Sequence, residues 1–166
     1  MADCRAVLTL RPPRVEDADA LVAACQDPEI ARWTSVPSPY TRAHALEWIG
    51  RRLPTVESYL GFEDDVLVGS FSLLEIDVER RYAEIGYWVA REARGRGVAT
   101  RAVDWLRARG AELGLSTFEL LIHQDNPASQ GVARRAGFTD TGERRPAPRV
   151  SPPTPPEWIV YRRNDA

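Results

Sequence analysis

The alternation of apolar and polar positions divides the chain into short strand-like and helix-like segments. Two-residue alternation near the N-terminus predicts a strand over residues 6–13, which ends at two prolines. Apolar residues at helical spacing then predict helices over residues 15–25 and 41–53, the second with Thr41 as its N-cap. The proline-containing stretch between them, residues 27–40, is predicted to be a loop that holds one helical turn.

The rest of the chain predicts a hairpin followed by alternating strands and helices. Two apolar runs flank Asp64-Asp65, and a further strand follows over residues 81–90. A helix over residues 97–113 has its apolar side chains near one face and ends before Gly114. The remaining predictions are a buried strand over 116–123, a helix over 126–137 capped by Asn126, a strand before the last prolines, and a strand over 157–163. The order β-α-α-β-β-β-α-β-α-β-β indicates a mixed α/β fold.

Length and composition fit one domain over residues 1–166. The chain is 43% hydrophobic and 28% charged, and its net charge of -2 argues against a general nucleic-acid binder. It has no apolar run of the roughly 20 residues that cross a bilayer, and its start lacks a signal-peptide layout. Two cysteines do not make a disulfide framework, nor a zinc site with two histidines. We therefore expect no metal, no membrane partner and a reducing cytoplasmic setting.

The stretch REARGRGVATRAV, residues 91–103, places four arginines and two glycines around the start of a predicted helix. The first amides of a helix have no internal partner and carry partial positive charge. Gly95 and Gly97 allow a sharp turn and the close approach of an anion. Arg94 and Arg96 can add charge-assisted hydrogen bonds. The alternative is a glycine-rich connection with solvated arginines, because short glycine motifs often occur without a ligand.

A second motif changes the balance between these interpretations. The strand AEIGYWV precedes the turn, in which Arg94, Gly97 and Ala99 fit the pattern Arg/Gln-x-x-Gly-x-Gly/Ala. The later stretch HQDNPASQGVARRAGF contains Asn126-x-x-Ser129. The two motifs together resemble the GNAT superfamily of acyl-CoA-dependent N-acetyltransferases, and look closest to the branch that acetylates ribosomal-protein N-termini.

The resemblance implies a strongly bent mixed sheet of about seven strands, flanked by about four helices and splayed after the fourth strand, where a β-bulge is expected. Free backbone groups of that strand would pair with the pantetheine arm of acetyl-CoA, and the amides of the glycine turn would hold its pyrophosphate. The implied cofactor-binding residues are Trp88, Val89, Arg94, Gly95, Arg96, Gly97, Val98, Ala99, Thr100, Asn126 and Ser129. The proline-rich stretch over residues 146–156 departs from the usual polar hairpin turn of the branch, and we predict a stiff surface loop there, with a docking ligand as the alternative.

Acetyl transfer from a thioester needs a neutral amine, a donor for the oxyanion and a proton for the sulfur. The resemblance implies a backbone amide near Val89 as the oxyanion donor and places Ser129 near the sulfur. Ser129 is otherwise a polar residue in the first turn of a helix. Glu84 is the candidate base, on the strand face shared with Gly86 and Trp88. Its alternative role is an ion pair with an arginine at the strand edge.

Three further features complete the predicted site and assembly. His123 ends a strand near Asn126 and is a second candidate for proton transfer, although such a histidine often only closes a strand. Trp33 and Tyr40 are candidate walls of the acceptor pocket, and core packing explains them equally well. The apolar strand over residues 157–163 is expected to be covered by another strand or by a second subunit, which allows a homodimer.

The sequence therefore favours an acetyl-CoA-dependent N-acetyltransferase acting on a primary amine, either a peptide α-amine or a small amine. A non-catalytic acyl-CoA-binding module on the same fold is the alternative, because a fold does not determine a function. The acid and base candidates, Glu84 and Ser129, favour the enzyme. A nucleic-acid binder built on the arginine turn is disfavoured by the acidic balance elsewhere.

Overall fold

The computed structural model describes residues 6–146 and 157–166, which form one seven-stranded sheet with five α-helices. The strands are β1 (Thr9–Arg11), β2 (Glu57–Glu63), β3 (Val66–Asp77), β4 (Tyr82–Val89), β5 (Thr117–His123), β6 (Thr139–Pro146) and β7 (Glu157–Asn164). The helices are α1 (Ala18–Ala24), α2 (Pro28–Trp33), α3 (Arg42–Gly50), α4 (Val98–Glu112) and α5 (Pro127–Arg135). The predicted order is confirmed with one addition, because the helical turn expected after α1 is the separate helix α2. Most of the predicted proline-rich loop, residues 147–156, lies outside the described residues.

Local capping sets the ends of these elements. Thr41 accepts a hydrogen bond from the His44 N–H at 3.2 Å and starts α3, as predicted. Helix α3 ends at Gly50, before the arginines that the hydrophobic pattern had assigned to it. Asp64 and Asp65 both have positive φ, which gives the tight turn between β2 and β3.

The sheet order is β1-β2-β3-β4-β5-β7-β6, and only β4 and β5 pair in parallel. Strand β7 therefore lies between β5 and β6, and its central residues Ile159, Val160 and Tyr161 are buried. The expected cover for this apolar strand comes from two strands of the same chain. On this side of the sheet the edge strand is instead β6, which is mostly polar and so resists pairing with another chain.

The bulge expected in β4 lies in β3. Leu74 pairs with Glu84 and Asp77 pairs with Tyr82, so two residues of β3 oppose one residue of β4. One of them, Glu75, has a φ of 49°. The register of β4 against β3 is regular from Glu84 onward, so β4 itself runs straight into the region beyond.

Strands β4 and β5 pair over only three positions, ending at Glu84 opposite Glu119. Beyond this point β4 continues to Val89 without a β5 partner, while β5 continues to His123 paired with β7. The predicted splay after the fourth strand is confirmed. We call the last paired position the fork.

A buried carboxylate stands at the fork. Glu119 is 1% exposed and accepts hydrogen bonds from the Tyr82 hydroxyl at 2.9 Å, Arg145 Nη1 at 2.8 Å and Arg162 Nε at 2.8 Å. These donors come from β4, β6 and β7, so one side chain of β5 joins four strands. Such a carboxylate is tolerated in the interior only because its charge and its lone pairs are satisfied.

The two faces of the sheet have separate cores. Phe71, Phe118 and Leu106 are fully buried where α4 and α5 pack, and Leu21 and Leu60 are buried on the face covered by α1 and α3. Within residues 6–146 and 157–166, no helix is long and apolar enough to cross a membrane. In the same residues, no group of His, Cys, Asp and Glu side chains is arranged to hold a metal ion.

The charge of Glu119 is expected to stabilise the fork. Glu119→Gln leaves Arg145 and Arg162 without their buried carboxylate, and we expect the free energy of unfolding to fall by roughly 2 kcal/mol. The arginines are 34% and 37% exposed, which keeps the loss below that of a fully buried pair. Glu143→Gln is the matched control, because Glu143 contacts the same arginines at the surface. Urea denaturation measures both, and equal losses would contradict the prediction.

Candidate functional site

A cleft of about 780 Å³ opens where β4 and β5 separate. Its walls come from both strands, the start of α5, the segments around α2 and α3, and β7. The cleft brings together six residues singled out from the sequence: Trp33, Glu84, Trp88, His123, Asn126 and Ser129. Tyr40 and residues 94–100 do not belong to its lining.

The plane of the sheet divides this cleft into two sides. Residues paired across a ladder share a face, and alternate residues of a strand share a face. The register of Glu84 with Glu119, and of His123 with Trp158, therefore places Glu84, His123 and Trp158 on the face covered by α1 and α3. Tyr87 lies on the opposite face, toward α5. We call the two parts of the cleft the α3 side and the α5 side.

On the α5 side, a tyrosine and a serine are hydrogen bonded. The Tyr87 hydroxyl donates to Ser129 Oγ at 3.2 Å, and the Ser129 N–H donates to Asn126 Oδ1 at 3.1 Å. The second bond is the N-cap of α5 and fixes the position of Ser129. Desolvation raises the pKa of Tyr87, so the phenol stays protonated and remains a donor.

Sequence analysis did not select Tyr87. The available signal was the alternation of β4, which places Tyr87 on the face opposite Glu84. Its partner could not be inferred from the sequence, because Ser129 lies 42 residues away along the chain.

On the α3 side, three rings form an aromatic wall. The Trp33 and His123 centroids lie 5.2 Å apart, and those of His123 and Trp158 lie 6.0 Å apart. Trp33 Nε1 donates to Glu29 at 3.1 Å, which orients the indole. His123 Nδ1 accepts the Asp125 N–H at 3.0 Å, so the neutral imidazole carries its proton on Nε2. Trp33 thus lies in the cleft as predicted, and Trp158 is an addition from the structure.

Tyr40 lies in the core and not in the cleft wall. It is 7% exposed and packs in the cluster beneath α1 and α3 together with Cys25. Burial, with a smaller contribution from Cys25, raises the pKa of Tyr40 to about 12. Burial likewise raises the pKa of the Cys25 thiol to about 12, which makes it an inert packing residue.

The glycine turn has the backbone of an anion site. Gly95 and Gly97 have φ values of 72° and 74°, and a Cβ added to either would meet no atom of the described residues within 4 Å. Gly97 is the N-cap of α4, and its carbonyl accepts the first helical bond, from the Arg101 N–H. The amides of residues 98–100 therefore have no partner within the helix, and the space beside the turn is open. The side chains of Val98 and Ala99 are buried, so these residues offer only their backbone.

The arginines of the turn are bound to two acidic side chains. Arg94 donates to Asp27 at 2.6 Å, and both Arg96 and Arg101 bond to Glu63. The Asp27 and Glu63 side chains are only 7% and 4% exposed. The arginines that were expected to contact an anion are therefore engaged in ion pairs, and these ion pairs hold the turn in place.

Asp27 also connects the turn to α2. It caps α2 by accepting the Glu29 N–H at 3.2 Å and bonds to Arg91 at 3.2 Å as well as to Arg94. Burial opposes ionisation, but the Glu29 N–H and the two arginines hold the pKa of Asp27 below its usual range. Arg94 Nε in turn donates to the Val89 carbonyl at 3.1 Å, at the open end of β4.

The open edge of β4 exposes the backbone of alternate residues. The Ala90 N–H donates to the Val68 carbonyl at 2.9 Å, so the backbone of residue 90 faces β3. Because antiparallel ladders alternate, the Trp88 backbone also faces β3, and the amides of Tyr87 and Val89 point into the opening. The resemblance implies Trp88 and Val89 as the pantetheine-binding pair; of these two, only Val89 directs its backbone into the opening, together with Tyr87. Trp88 lines the cleft with its side chain.

Comparison with known families agrees with this geometry. The family described as acetyltransferase (GNAT) domain matches residues 7–139. The chain belongs to the GNAT acetyltransferase family. The matched region contains both sequence motifs, the fork and most of the cleft lining.

Curated relatives match parts of the chain. The ribosomal-protein-serine acetyltransferase of Escherichia coli (strain K12) is 36% identical over 81 residues, which are 48% of this chain and 45% of that protein. The putative ribosomal N-acetyltransferase YdaF of Bacillus subtilis (strain 168) is 37% identical over 83 residues, and the match spans 45% of its length. The chain thus aligns with less than half of each of these two relatives. An uncharacterized N-acetyltransferase of Bacillus licheniformis, p20, is 29% identical over 81% of this chain and 80% of that protein.

Solved structures share the fold at low sequence identity. The microcin C7 self-immunity acetyltransferase MccE, in complex with acetyl-CoA and AMP, has a TM-score of 0.85 at 19% identity and covers 95% of this chain and 92% of that one. RimL, the ribosomal L7/L12 α-N-protein acetyltransferase in complex with coenzyme A, has a TM-score of 0.83 at 21% identity, covering 95% and 94%. A spermidine N-acetyltransferase from Vibrio cholerae, in complex with CoA and spermine, has a TM-score of 0.80 at 18% identity, covering 95% of each chain.

The carboxylate of Asp27 is expected to give a pH-dependent contribution to stability. Asp27→Asn keeps an oxygen for the α2 cap but removes the charge opposite Arg91 and Arg94, so we expect a loss of about 1 kcal/mol at pH 7. Because the folded-state pKa is depressed, this stabilisation is present above the unfolded pKa near ~3.9 and is lost as the pH falls further.

The difference between wild type and Asp27→Asn should therefore persist from pH 7 to 5 and shrink below about pH 4. Denaturant unfolding at several pH values measures it. Asp19→Asn is the control, because Asp19 is 85% exposed in its ion pair with Arg42 and should change little. An Asp27→Asn difference that is unchanged at the lowest pH would contradict the assignment.

Proposed function

We propose that this protein is an acetyl-CoA-dependent N-acetyltransferase that acts on a primary amine, either a peptide α-amine or a similarly acidic small amine. One observation carries the proposal: Glu84 and the Tyr87–Ser129 pair line one cleft from opposite faces of β4, beside the open backbone edge of that strand. Membership in the GNAT family supports the same reaction. A non-catalytic acyl-CoA-binding module is less favoured, because such a module needs no acid or base groups in its cleft.

The residues of the turn and of the open strand fit acetyl-CoA. The amides of residues 98–100 and the positive-φ glycines suit the pyrophosphate, and the open space beside the turn leaves room for it. The hydroxyl of Thr100 is buried and has no hydrogen-bond partner in the part of the chain that the structure describes, which suits a ligand oxygen at this place. Tyr87 and Val89 offer backbone amides to the pantetheine arm. Arg94 and Arg96 would add positive charge from their ion pairs, and Asn126 would contribute from the α5 cap.

The proposed catalytic groups lie on different sides of the cleft, with the base on the α3 side and the proton donor for the sulfur on the α5 side. The Val89 amide, which points into the opening, is the proposed oxyanion donor, a role worth roughly 3–4 kcal/mol in other enzymes. Ser129 is the proposed donor to the leaving sulfur. The hydrogen bond with the Tyr87 hydroxyl helps to hold Ser129 Oγ in place in the cleft. Glu84, on the α3 side, is the proposed base, with His123 as the second candidate.

The small number of acid and base candidates in the cleft favours an α-amine as the acceptor. An α-amine has a pKa near ~7.7–8.0 and a lysine near ~10.4, so only the α-amine is substantially neutral at pH 7. A strong buried base is therefore needed mainly for lysine. Among the described residues of the cleft lining, Glu84 and His123 are the candidates for this role.

Setting and assembly stay predictions from the sequence. We propose a cytoplasmic enzyme with no nucleic-acid partner, on the basis of cysteine usage and charge. A homodimer also stays a prediction. The strand that suggested it, β7, is already covered by β5 and β6, so a second copy would have to use another surface.

The proposed pyrophosphate site predicts a position-specific loss of CoA binding. Gly97→Asp adds a Cβ and a negative charge where the phosphates would approach, and we expect near-loss of CoA binding in calorimetry with native circular dichroism. Gly114→Asp is the matched control, because Gly114 has a φ of 82°, has the same open surroundings and follows the other end of α4. Equal CoA affinity in the two variants would remove the turn from the site.

The proposed base and acceptor predict a particular pH profile. We expect Glu84→Gln to lower turnover by ~10²-fold or less with little change in the KM for acetyl-CoA. In wild type, the rate should rise with pH through the α-amine range and then level. Glu79→Gln, in the exposed turn before β4, is the control and should have no effect. A preference for internal lysines, or a rate that climbs well beyond that range, would overturn the α-amine assignment.

A further inference from the structure

Tryptophan side chains are concentrated in the cleft. The chain has five tryptophans, and four of them line the cleft: Trp33, Trp48, Trp88 and Trp158. The fifth, Trp105, lies on α4 and packs against Tyr59 with the ring centroids 4.8 Å apart. The four cleft tryptophans are all partly exposed, so the folded chain leaves indole surface unburied at this place. Aromatic surface of this kind inside a concave site indicates a ligand that covers it.

All four indoles lie on the α3 side of the cleft. Trp48 and Trp88 pack against the core cluster beneath α1 and α3. Trp158 pairs with His123 across the ladder of β5 and β7, and the Trp33 ring packs against the His123 ring. The groups proposed to hold acetyl-CoA belong instead to the glycine turn, the open edge of β4 and the α5 side. The indoles are therefore placed to contact the acceptor.

Small residues form the floor between these walls. The register of β2, β3 and β4 aligns Ser58 with Ser72 and Ser72 with Gly86, and residues aligned in this way share a face of the sheet. Gly86 lies two residues before Trp88, so this face is the α3 side. The serine hydroxyls bond to each other at 2.9 Å, and the Leu74 side chain lies beside Gly86. The floor is thus uncharged and mostly made of small side chains, which leaves room for a flat group.

Trp88 brings the indole surface next to the proposed reaction centre. It directly precedes Val89, whose amide is the proposed oxyanion donor, and consecutive Cα atoms are only about 3.8 Å apart. An amine that approaches from the α3 side to attack a thioester held by that amide therefore passes the Trp88 indole. We infer that the acceptor carries an aromatic ring on the residue or carbon skeleton that bears its reactive amine. The inference rests on the proposed acetyltransferase function and narrows its substrate class.

The packing of the aromatic wall favours a ring over an aliphatic group. Aromatic rings attract one another in edge-to-face and offset arrangements at centroid distances of roughly 4.5–7 Å. Trp33 and His123 already pack at 5.2 Å, and His123 and Trp158 at 6.0 Å, so a further ring extends an existing arrangement. An aliphatic group of the same size gains the burial of its surface but not this attraction.

A positively charged group on the acceptor is less suited to the same wall. Cations also bind to the faces of indole rings. The Arg32 guanidinium, however, lies over the Trp33 ring at 4.4 Å from its centroid, so a second cation there would approach a like charge. A cationic acceptor and an aromatic acceptor are therefore separate predictions, which one panel of amines can compare.

The test uses the full chain with acetyl-CoA and measures acetylated product by mass spectrometry. The acceptors are the amides of phenylalanine, tryptophan, cyclohexylalanine, alanine and arginine, each of which has one primary amine in the same chemical setting. We expect the phenylalanine and tryptophan amides to exceed cyclohexylalanine amide in kcat/KM by about five- to tenfold, and arginine amide by more. The peptide Phe-Ala-Ala amide separates two sources of the ring, because it should exceed phenylalanine amide for a peptide acceptor and fall below it for a small amine.

Variants assign the preference to the indoles. Trp33→Leu and Trp88→Leu should each reduce the ratio of phenylalanine amide to cyclohexylalanine amide to about twofold or less, whereas Trp33→Phe and Trp88→Phe keep a ring and should keep most of the ratio. Because both acceptors are measured with the same variant, a general loss of rate or of folded protein cancels from the ratio. Trp105→Leu is the matched control, since Trp105 is outside the cleft lining, and its ratio should equal that of the wild type.

Equal rates for phenylalanine and cyclohexylalanine amides, or a preference for arginine amide, would overturn the inference. A ratio that survives in both leucine variants would overturn the assignment to Trp33 and Trp88. Failure of every acceptor, with acetyl-CoA still bound, would instead count against the proposed acetyltransferase function. Calorimetric binding of phenylalanine and cyclohexylalanine amides to the CoA complex would then decide the inference on its own, with equal affinities overturning it.

Discussion

The separation of β4 from β5 is the constraint on which the rest of the site depends. A parallel ladder normally continues along both strands, and here it stops at Glu84 and Glu119. The buried Glu119 carboxylate collects donors from β4, β6 and β7 at this point, so the place of separation is defined by charge as well as by packing. The groups proposed for catalysis lie at this point or just beyond it: Glu84 is the last paired residue of β4, the Val89 amide lies on the open edge of that strand, and Ser129 lies in the first turn of α5.

Two further carboxylates organise the turn that is the proposed cofactor end of the site. Asp27 and Glu63 are nearly buried, and between them they hold Arg91, Arg94, Arg96 and Arg101. These bonds stabilise a turn whose glycines would otherwise give it large conformational freedom. Because Asp27 also caps α2, which carries Trp33 in the cleft wall, the same carboxylate joins the proposed cofactor turn to the acceptor side.

The sheet itself separates the proposed chemical roles. Alternation along β4 sends Glu84 to one face and Tyr87 to the other, while the amides of Tyr87 and Val89 point along the sheet into the opening. The proposed base, oxyanion donor and donor for the sulfur thus approach the opening from the two faces and from the edge of β4. Each of these groups belongs to a strand or to the first turn of a helix.

Local chemistry allowed much of the molecule to be predicted from its sequence. The caps at Thr41 and Asn126, the aspartate turn before β3 and the glycines after α4 and α5 act over a few residues, so their structural consequences are visible in the sequence. The same holds for the glycine turn and for the face that Glu84 occupies, since a positive-φ turn and two-residue alternation are local properties. The family motifs then added the splay of the sheet, which no local rule contains.

What remained was decided by contacts between distant residues. The bulge lies in β3 because the register of a ladder depends on both of its strands. Strand β7 is an internal strand because β5 and β6 pair with it on either side. Tyr87, which was not selected from the sequence, lies in the cleft and bonds to Ser129 of α5. Tyr40, which was expected in the cleft wall, packs in the core beneath α1 and α3. The arginines of the turn gained buried carboxylate partners from β2 and from the start of α2. Each of these outcomes depends on long-range packing and pairing, and the free energy of such contacts exists only once the chain has brought the partners together.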